Sequence, residues 1–447
     1  MLFRKLLVFI ILACFLVACG SETAPTEPSE IPATTIPAEP EDYAASLKLD
    51  LSSDTAKQEV TVKSFIDGDT VHFHVPADVL PDGILKARFL AINTPESTGK
   101  IEEYGKTASE FTREKLSAAT SIVIESETSN WDKDSTGDRY LVWVWYKTAD
   151  SENYRNLNVE ILQNGLARPN SASENRYGAT CMAAIEQARK LKLNLHSGQK
   201  DPNYYYGDAV ELTLKELRTN IESYSGMKVA FNGVITTNSG TQGVYVEELD
   251  PESGLYSGMY IYYGHGLNGS GLDILSVGNR VRIVGTVQFY EAGGTWQVSD
   301  VTYRMMQPDD PGNIQKISED HAPAWTLTDP DTFVNREVEL QMEDSTVVLP
   351  YAQLALGTTL EMKGLKVLDA YTTEKEGSSS DGAMTLFCEA DGISVTVRTV
   401  LLLDTDGNRI TADTYLGKTI DVKGIVDWFD GDYQIKVFAP NYITINE

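Results

Sequence analysis

Asp67-Gly68-Asp69-Thr70, Arg88, Asn93-Thr94-Pro95-Glu96 and Arg139 fall within about seventy positions of one another. These residue types suit hydrolysis of a phosphodiester, which needs a positioned water, a base to take its proton, and cations where charge builds on the phosphoryl oxygens. A carboxylate fixed at Asp69 is a hard ligand suited to Ca²⁺, and Asn93 and Thr94 add oxygens beside it. Glu96 is the candidate base. Arg88 and Arg139 bring guanidinium groups that stay charged and donate paired hydrogen bonds.

The flanking pattern says how such a set is held. Residues 60–66 and 71–75 alternate apolar and polar around the Asp-Gly-Asp turn, which predicts a β-hairpin with Asp69 at its end. Residues 84–92 read as a third strand that carries Arg88 and delivers Asn93, Thr94 and Glu96, with Pro95 stopping the ladder. Helices are expected over 104–118, 157–163 and 178–195, and strands over 121–126 and 140–145. His72 and His74 share a strand face, but no third ligand accompanies them, so both are expected to face solvent.

With Tyr104-Gly105 opening a helix, Arg139-Tyr-Leu141 and Asn164-Gly-Leu-Ala167, the segment from about Lys57 to Ser197 resembles the thermonuclease, or staphylococcal nuclease, family. The resemblance implies an OB-like five-stranded barrel with packed helices, and Ca²⁺ held by Asp69, Asn93 and the Thr94 carbonyl. It implies Glu96 activating the attacking water and Arg88 and Arg139 binding phosphate. Three positions depart from the family pattern. Asn93 stands where a second metal carboxylate is usual, Thr136-Gly-Asp138 replaces a Lys-Tyr-Gly run, and 168–173 lacks stacking tyrosines.

The remainder of the 447 residues divides by composition. Arg4 and Lys5 precede an apolar run that ends Leu16-Val-Ala-Cys19, which resembles a lipoprotein signal at 1–19 with Cys19 as the lipidated residue. Residues 20–54, rich in Pro, Thr, Ser and Glu, are expected to be a disordered tether from the membrane. The nuclease-like domain is assigned to 55–200. Every candidate catalytic residue precedes Lys200, so a chain ending there is expected to keep its chemistry. Cys181 and Cys388, far apart in the sequence, give little support for a disulfide.

Beyond Pro202, a Gly-bounded alternating run recurs at 226–233, 278–285, 357–364 and 417–424, and an aromatic turn with a Gln follows the second and fourth runs. These are two copies of one unit, read as OB-like domains at 205–308 and 325–447. Asp404-Thr-Asp-Gly-Asn408 lacks the distal Glu of a Ca²⁺ loop and is expected to be a turn. Residues 55–200 hold 18 Lys plus Arg against 20 Asp plus Glu, whereas 201–447 hold 16 against 37. An acidic surface repels phosphate, so the tail's partner is left open.

The expectation is therefore a mainly β, multidomain chain: one nuclease-like OB barrel with helices, then two OB-like barrels. Its expected work is Ca²⁺-dependent hydrolysis of DNA, and of RNA as a second substrate, on a lipid-anchored protein outside the cytoplasm. The alternative is a catalytically inactive nuclease-fold module that binds nucleic acid or protein.

Overall fold

The computed structural model describes residues 39–240, 242–265, 267–342 and 345–446. Cys19, the signal segment and the tether to residue 38 lie outside the described residues. Among those described, no helix is long and apolar enough to cross a membrane.

Among the described residues, three closed five-stranded barrels follow one another. The first uses β1 (Lys57–Phe65), β2 (Thr70–His74), β3 (Ile84–Phe89), β4 (Ser121–Glu125) and β5 (Tyr140–Lys147). Strand β1 pairs with β2 and β2 with β3; β3 runs parallel to β5, β5 pairs with β4, and β4 closes on β1. The period-2 alternation of β3 sends Leu85, Ala87 and Phe89 into the core and leaves Lys86 and Arg88 on the other face.

Three helices cover this barrel: α1 (Gly105–Ser117), α2 (Leu157–Gln163) and α3 (Gly178–Leu191). That is why β5 reads apolar on both faces. Its Trp143 and Trp145 meet Tyr177, just before α3, edge-on at 5.0 and 5.5 Å, while Val142 and Val144 alternate with them. Helix α3 stops four residues short of the expectation, because Lys192 takes a left-handed conformation at its C-cap.

The tether expectation is corrected at its end. A helical turn at Tyr43–Ser46 buries Ala44 completely in the first core, and Asp42 pairs with Arg155 at 2.7 Å. Four residues are too few for periodicity to reveal.

The two later barrels repeat the first in strand order. The second uses β6 (Lys228–Asn238), β7 (Gly243–Leu249), β8 (Tyr256–Tyr262), β9 (Arg280–Tyr290) and β10 (Thr295–Ser299). The third uses β11 (Thr359–Thr372), β12 (Met384–Ala390), β13 (Ile393–Thr399), β14 (Thr419–Phe429) and β15 (Asp432–Val437). In both, the third strand runs parallel to the fifth and the fourth closes on the first.

The recurring glycines have a steric cause. A Cβ at Gly285 in β9 would lie 2.6 Å from the Ser299 carbonyl oxygen, and one at the matching Gly424 in β14 would lie 2.7 Å from that of Lys436. Only glycine lets the fourth strand coil this tightly over the fifth. Each unit also adds matching outer strands, Val210–Glu211 and Gln315–Ser318 in one, Thr326–Leu327 and Ile443–Asn446 in the other. The first tail unit therefore runs past residue 308 to Ser318.

Cys181 and Cys388 are separate, buried and unbonded to each other, each thiol pushed up to about 12 by burial. Asp404 accepts the backbone N–H groups of Asp406 and Asn408, which closes the expected turn.

Candidate functional site

The strand that carries Arg88 breaks immediately after Phe89, and the break aims the next residues. Ala91 adopts a left-handed conformation (φ 69°), and Ile92–Asn93 leaves the barrel to pair with Arg168–Pro169. Fully buried Asn158 fixes this geometry, donating to the Leu90 and Val142 carbonyls at 2.9 and 3.1 Å and accepting from the Val144 N–H at 2.9 Å. Buried backbone groups left open at a strand break are costly. One amide side chain here satisfies the Leu90 carbonyl and the Val144 N–H and adds a second bond to the Val142 carbonyl, which also accepts the Leu90 N–H.

Opposite the break, the turn at 67–70 is held from within and from α1. Asp67 accepts the Asp69 N–H at 3.0 Å, and Thr112 of α1 donates to the Gly68 carbonyl at 2.6 Å. Asp69, with no solvent exposure, then joins the two segments: it accepts the Thr94 N–H at 2.8 Å and forms an ion pair with Arg88. Arg88 also donates to the Asn93 side-chain oxygen. Four of the residues expected from the sequence, Asp69, Arg88, Asn93 and Thr94, are thus directly linked.

Glu96 and Arg139 reach the same place from two other segments. Both line one cavity with Asp67, and Thr70, His72 and Lys86 lie on its wall. Glu96 is exposed, yet the protein around its carboxyl raises its pKa above the ordinary carboxylate value, reinforced by the charge of Asp67 and opposed by Arg88 and Arg139. Arg139 is held by Asp134, which accepts from its Nε at 2.8 Å and pairs with its terminal nitrogen at 2.7 Å.

Two residues differ from the expectation. Asp67, read only as part of a turn, is a buried carboxyl facing Arg88 and Arg139, its pKa raised by burial against the pull of those cations. Its signal was present in the doubled aspartate of the turn, but turn chemistry alone explained it. His72 is not solvent-facing as expected: it is half-buried, and burial together with Lys86 and Lys63 lowers its pKa to about 4, so it is neutral at pH 7. His74 is exposed, as expected.

The expected oxygen donors, the Asp69 carboxylate, the Asn93 amide and the Thr94 carbonyl, have a chemistry that fits a hard cation, and the first two are engaged by Arg88 here. Among the described residues, no three His, Cys, Asp or Glu side chains are grouped to hold a metal ion. A cation here would draw on the amide and the backbone as well as on a carboxylate.

Residues beyond Lys200 also hold the segments around the site. Asp201 is buried and accepts the Tyr104 N–H at 2.6 Å and the Thr107 hydroxyl at 3.1 Å, tying down the start of α1. Gln288 of β9 accepts the Gly99 N–H at 3.2 Å and donates to the Ser97 carbonyl, so the second barrel grips the loop directly after Glu96. Arg113 of α1 pairs with Glu291 beside that contact.

A family model described as Staphylococcal nuclease homologue matches residues 86–198. The match includes Arg88, Asn93, Thr94, Glu96 and Arg139 and begins after the turn that holds Asp69, which the geometry joins to them. Residues 86–198, within the first barrel and its helices, form a staphylococcal nuclease-like domain, and two further barrels follow it among the described residues.

Proposed function

We propose that the chain is a Ca²⁺-dependent nuclease that hydrolyses phosphodiester bonds in DNA, and in RNA as a second substrate. The observation that carries this reading is the direct linkage of Asp69, Arg88, Asn93 and Thr94, with Glu96 and Arg139 opening on the same cavity. Ca²⁺, when bound by Asp69, Asn93 and the Thr94 carbonyl, would supply positive charge next to the phosphate. Glu96 takes the proton of the attacking water, and its raised pKa makes it a better base than an ordinary carboxylate. Arg88 and Arg139 meet the charge on the phosphoryl oxygens, with Arg139 exchanging Asp134, and Arg88 exchanging Asp69 and Asn93, for the substrate. We place this activity outside the cytoplasm, on a membrane reached through lipid at Cys19, because of the sequence at 1–19.

Arg139's engagement by Asp134 favours a second reading, a binding module without turnover. Incubating the purified protein with end-labelled DNA and RNA oligonucleotides in Ca²⁺ decides between them: product accumulation is expected, and its absence at every Ca²⁺ concentration supports the module.

Two further outcomes follow from the geometry. Asn93→Asp restores a carboxylate beside Asp69 and is expected to lower the Ca²⁺ midpoint for cleavage by about tenfold. An unchanged midpoint in a calcium titration removes Asn93 from the ligand set.

Gly105→Ala tests how tightly Glu96 is placed. A Cβ at Gly105 would lie 2.1 Å from the Glu96 carbonyl oxygen, which forces the segment to move. A shift of about 1 Å at a catalytic group costs about a hundredfold in rate. Steady-state kinetics should show that loss in kcat, and a wild-type kcat would mean that the loop position does not govern turnover.

A further inference from the structure

The aromatic turns repeated in the two tail units have no part in the chemistry above, yet they share its cavity. In β9 and β10, Phe289 pairs across the hairpin with Trp296, ring centroids 5.1 Å apart. In β14 and β15, Trp428 pairs at the matching register with Tyr433, at 4.7 Å. The next residue outward is aromatic in both hairpins: Tyr290, 42% exposed, and Phe429, 52% exposed. The two tips abut, because a Cβ at Gly294 would lie 4.0 Å from the Trp428 indole nitrogen.

Both tips open on the cavity that holds Asp67, Glu96 and Arg139, a space of about 1030 Å³. A space of this size takes a few nucleotides rather than a duplex. Its wall is unlike the acidic exterior of the tail. Arg398 lies 5.3 Å over the Phe429 ring, and Lys436 from the third barrel, Lys86 from the first, and Arg218 line the same cavity as Arg139. Asp427 and Asp138 balance part of that charge, pairing with Lys436 at 3.7 Å and Lys86 at 3.6 Å, and the carboxyls of Asp67 and Glu96 face the same space. The net acidity of 201–447 therefore does not describe this surface.

Exposed aromatic faces next to cations bind unpaired bases by stacking while the cations follow the backbone. A duplex hides its base faces in its own stack and offers such platforms nothing. The contacts of Gln288 with Ser97 and Gly99 fix the Tyr290 platform relative to Glu96.

We propose that the two tail barrels form a single-strand binding cleft in which Tyr290 and Phe429 stack the bases of a DNA or RNA strand running toward Arg139 and Glu96. The direction of that strand rests on the nuclease reading; the binding itself does not.

The test uses the full chain in excess chelator, so that no cleavage is expected, and follows fluorescence anisotropy of labelled oligothymidylate, oligouridylate and a matched DNA duplex. Either single strand should bind at least about tenfold more tightly than the duplex. The double variant Tyr290→Leu with Phe429→Leu, which keeps apolar bulk but removes both π faces, should weaken strand binding by about tenfold for each platform lost. Tyr371→Leu, at an exposed aromatic outside the cleft, is the control and should bind as wild type.

Equal affinity for strand and duplex, or unchanged strand binding in a folded double variant, overturns the cleft. Should the double variant unfold, Phe429→Leu alone is measured against the same criterion. Strand binding without cleavage in Ca²⁺ defeats the nuclease reading and supports the cleft. Cleavage with no preference for single strands does the reverse.

Discussion

Glu96→Gln should lower kcat by about two to four orders of magnitude, the usual contribution of a positioned general base. The amide keeps the size and shape of the carboxylate but cannot accept the water's proton. Glu96 is exposed and its side chain contributes little to packing, so thermal unfolding should move by no more than a typical surface substitution, about 0.5 kcal/mol. Single-turnover measurement on a short labelled strand separates this loss from one of binding. Near-wild-type turnover would remove Glu96 from the role of base.

Arg88→Lys and Arg139→Lys should each lower kcat by about a hundredfold or more, the scale of losing one preorganised donor. Lysine keeps the charge but cannot reproduce the paired donors of a guanidinium. Their effects on folding should differ. Arg88 contacts both the fully buried Asp69 and the Asn93 side chain, so its replacement leaves an acceptor open at a cost of about 1–3 kcal/mol. Arg139 is about one-third exposed and paired to Asp134, so its loss should leave stability nearly unchanged. Kinetics together with chemical denaturation read both effects. Undiminished kcat in both variants would mean that the phosphate lies elsewhere.

Much of this site was legible because its parts are local. The hairpin around Asp67-Gly-Asp69, the strand that carries Arg88 and the helix from Gly105 each announce themselves through alternation or turn chemistry, whereas the break after Phe89 falls inside the expected strand at 84–92 and is not announced. The repeated glycine runs were legible for the same reason, since each marks a strand that must pass close to another backbone.

What escaped the sequence depends on contacts between distant positions. Nothing near Asn158 says that its amide satisfies a strand break at Leu90. Nothing near Gln288 says that it holds the loop after Glu96. The charge of the tail, summed over its residues, does not say which of its side chains face one cavity, where Arg398, Lys436 and the aromatic tips meet. Asp67 was overlooked for the opposite reason: a turn already explained it.

Release of labelled product from DNA by the purified chain, with Ca²⁺ and with excess chelator, tests the central claim most directly when Glu96→Gln is run beside the wild type. The linked Asp69, Arg88, Asn93 and Thr94, with Glu96 and Arg139 on the adjoining cavity, predict product only from the wild type and only in Ca²⁺. Equal product in chelator, or equal product from Glu96→Gln, would contradict it.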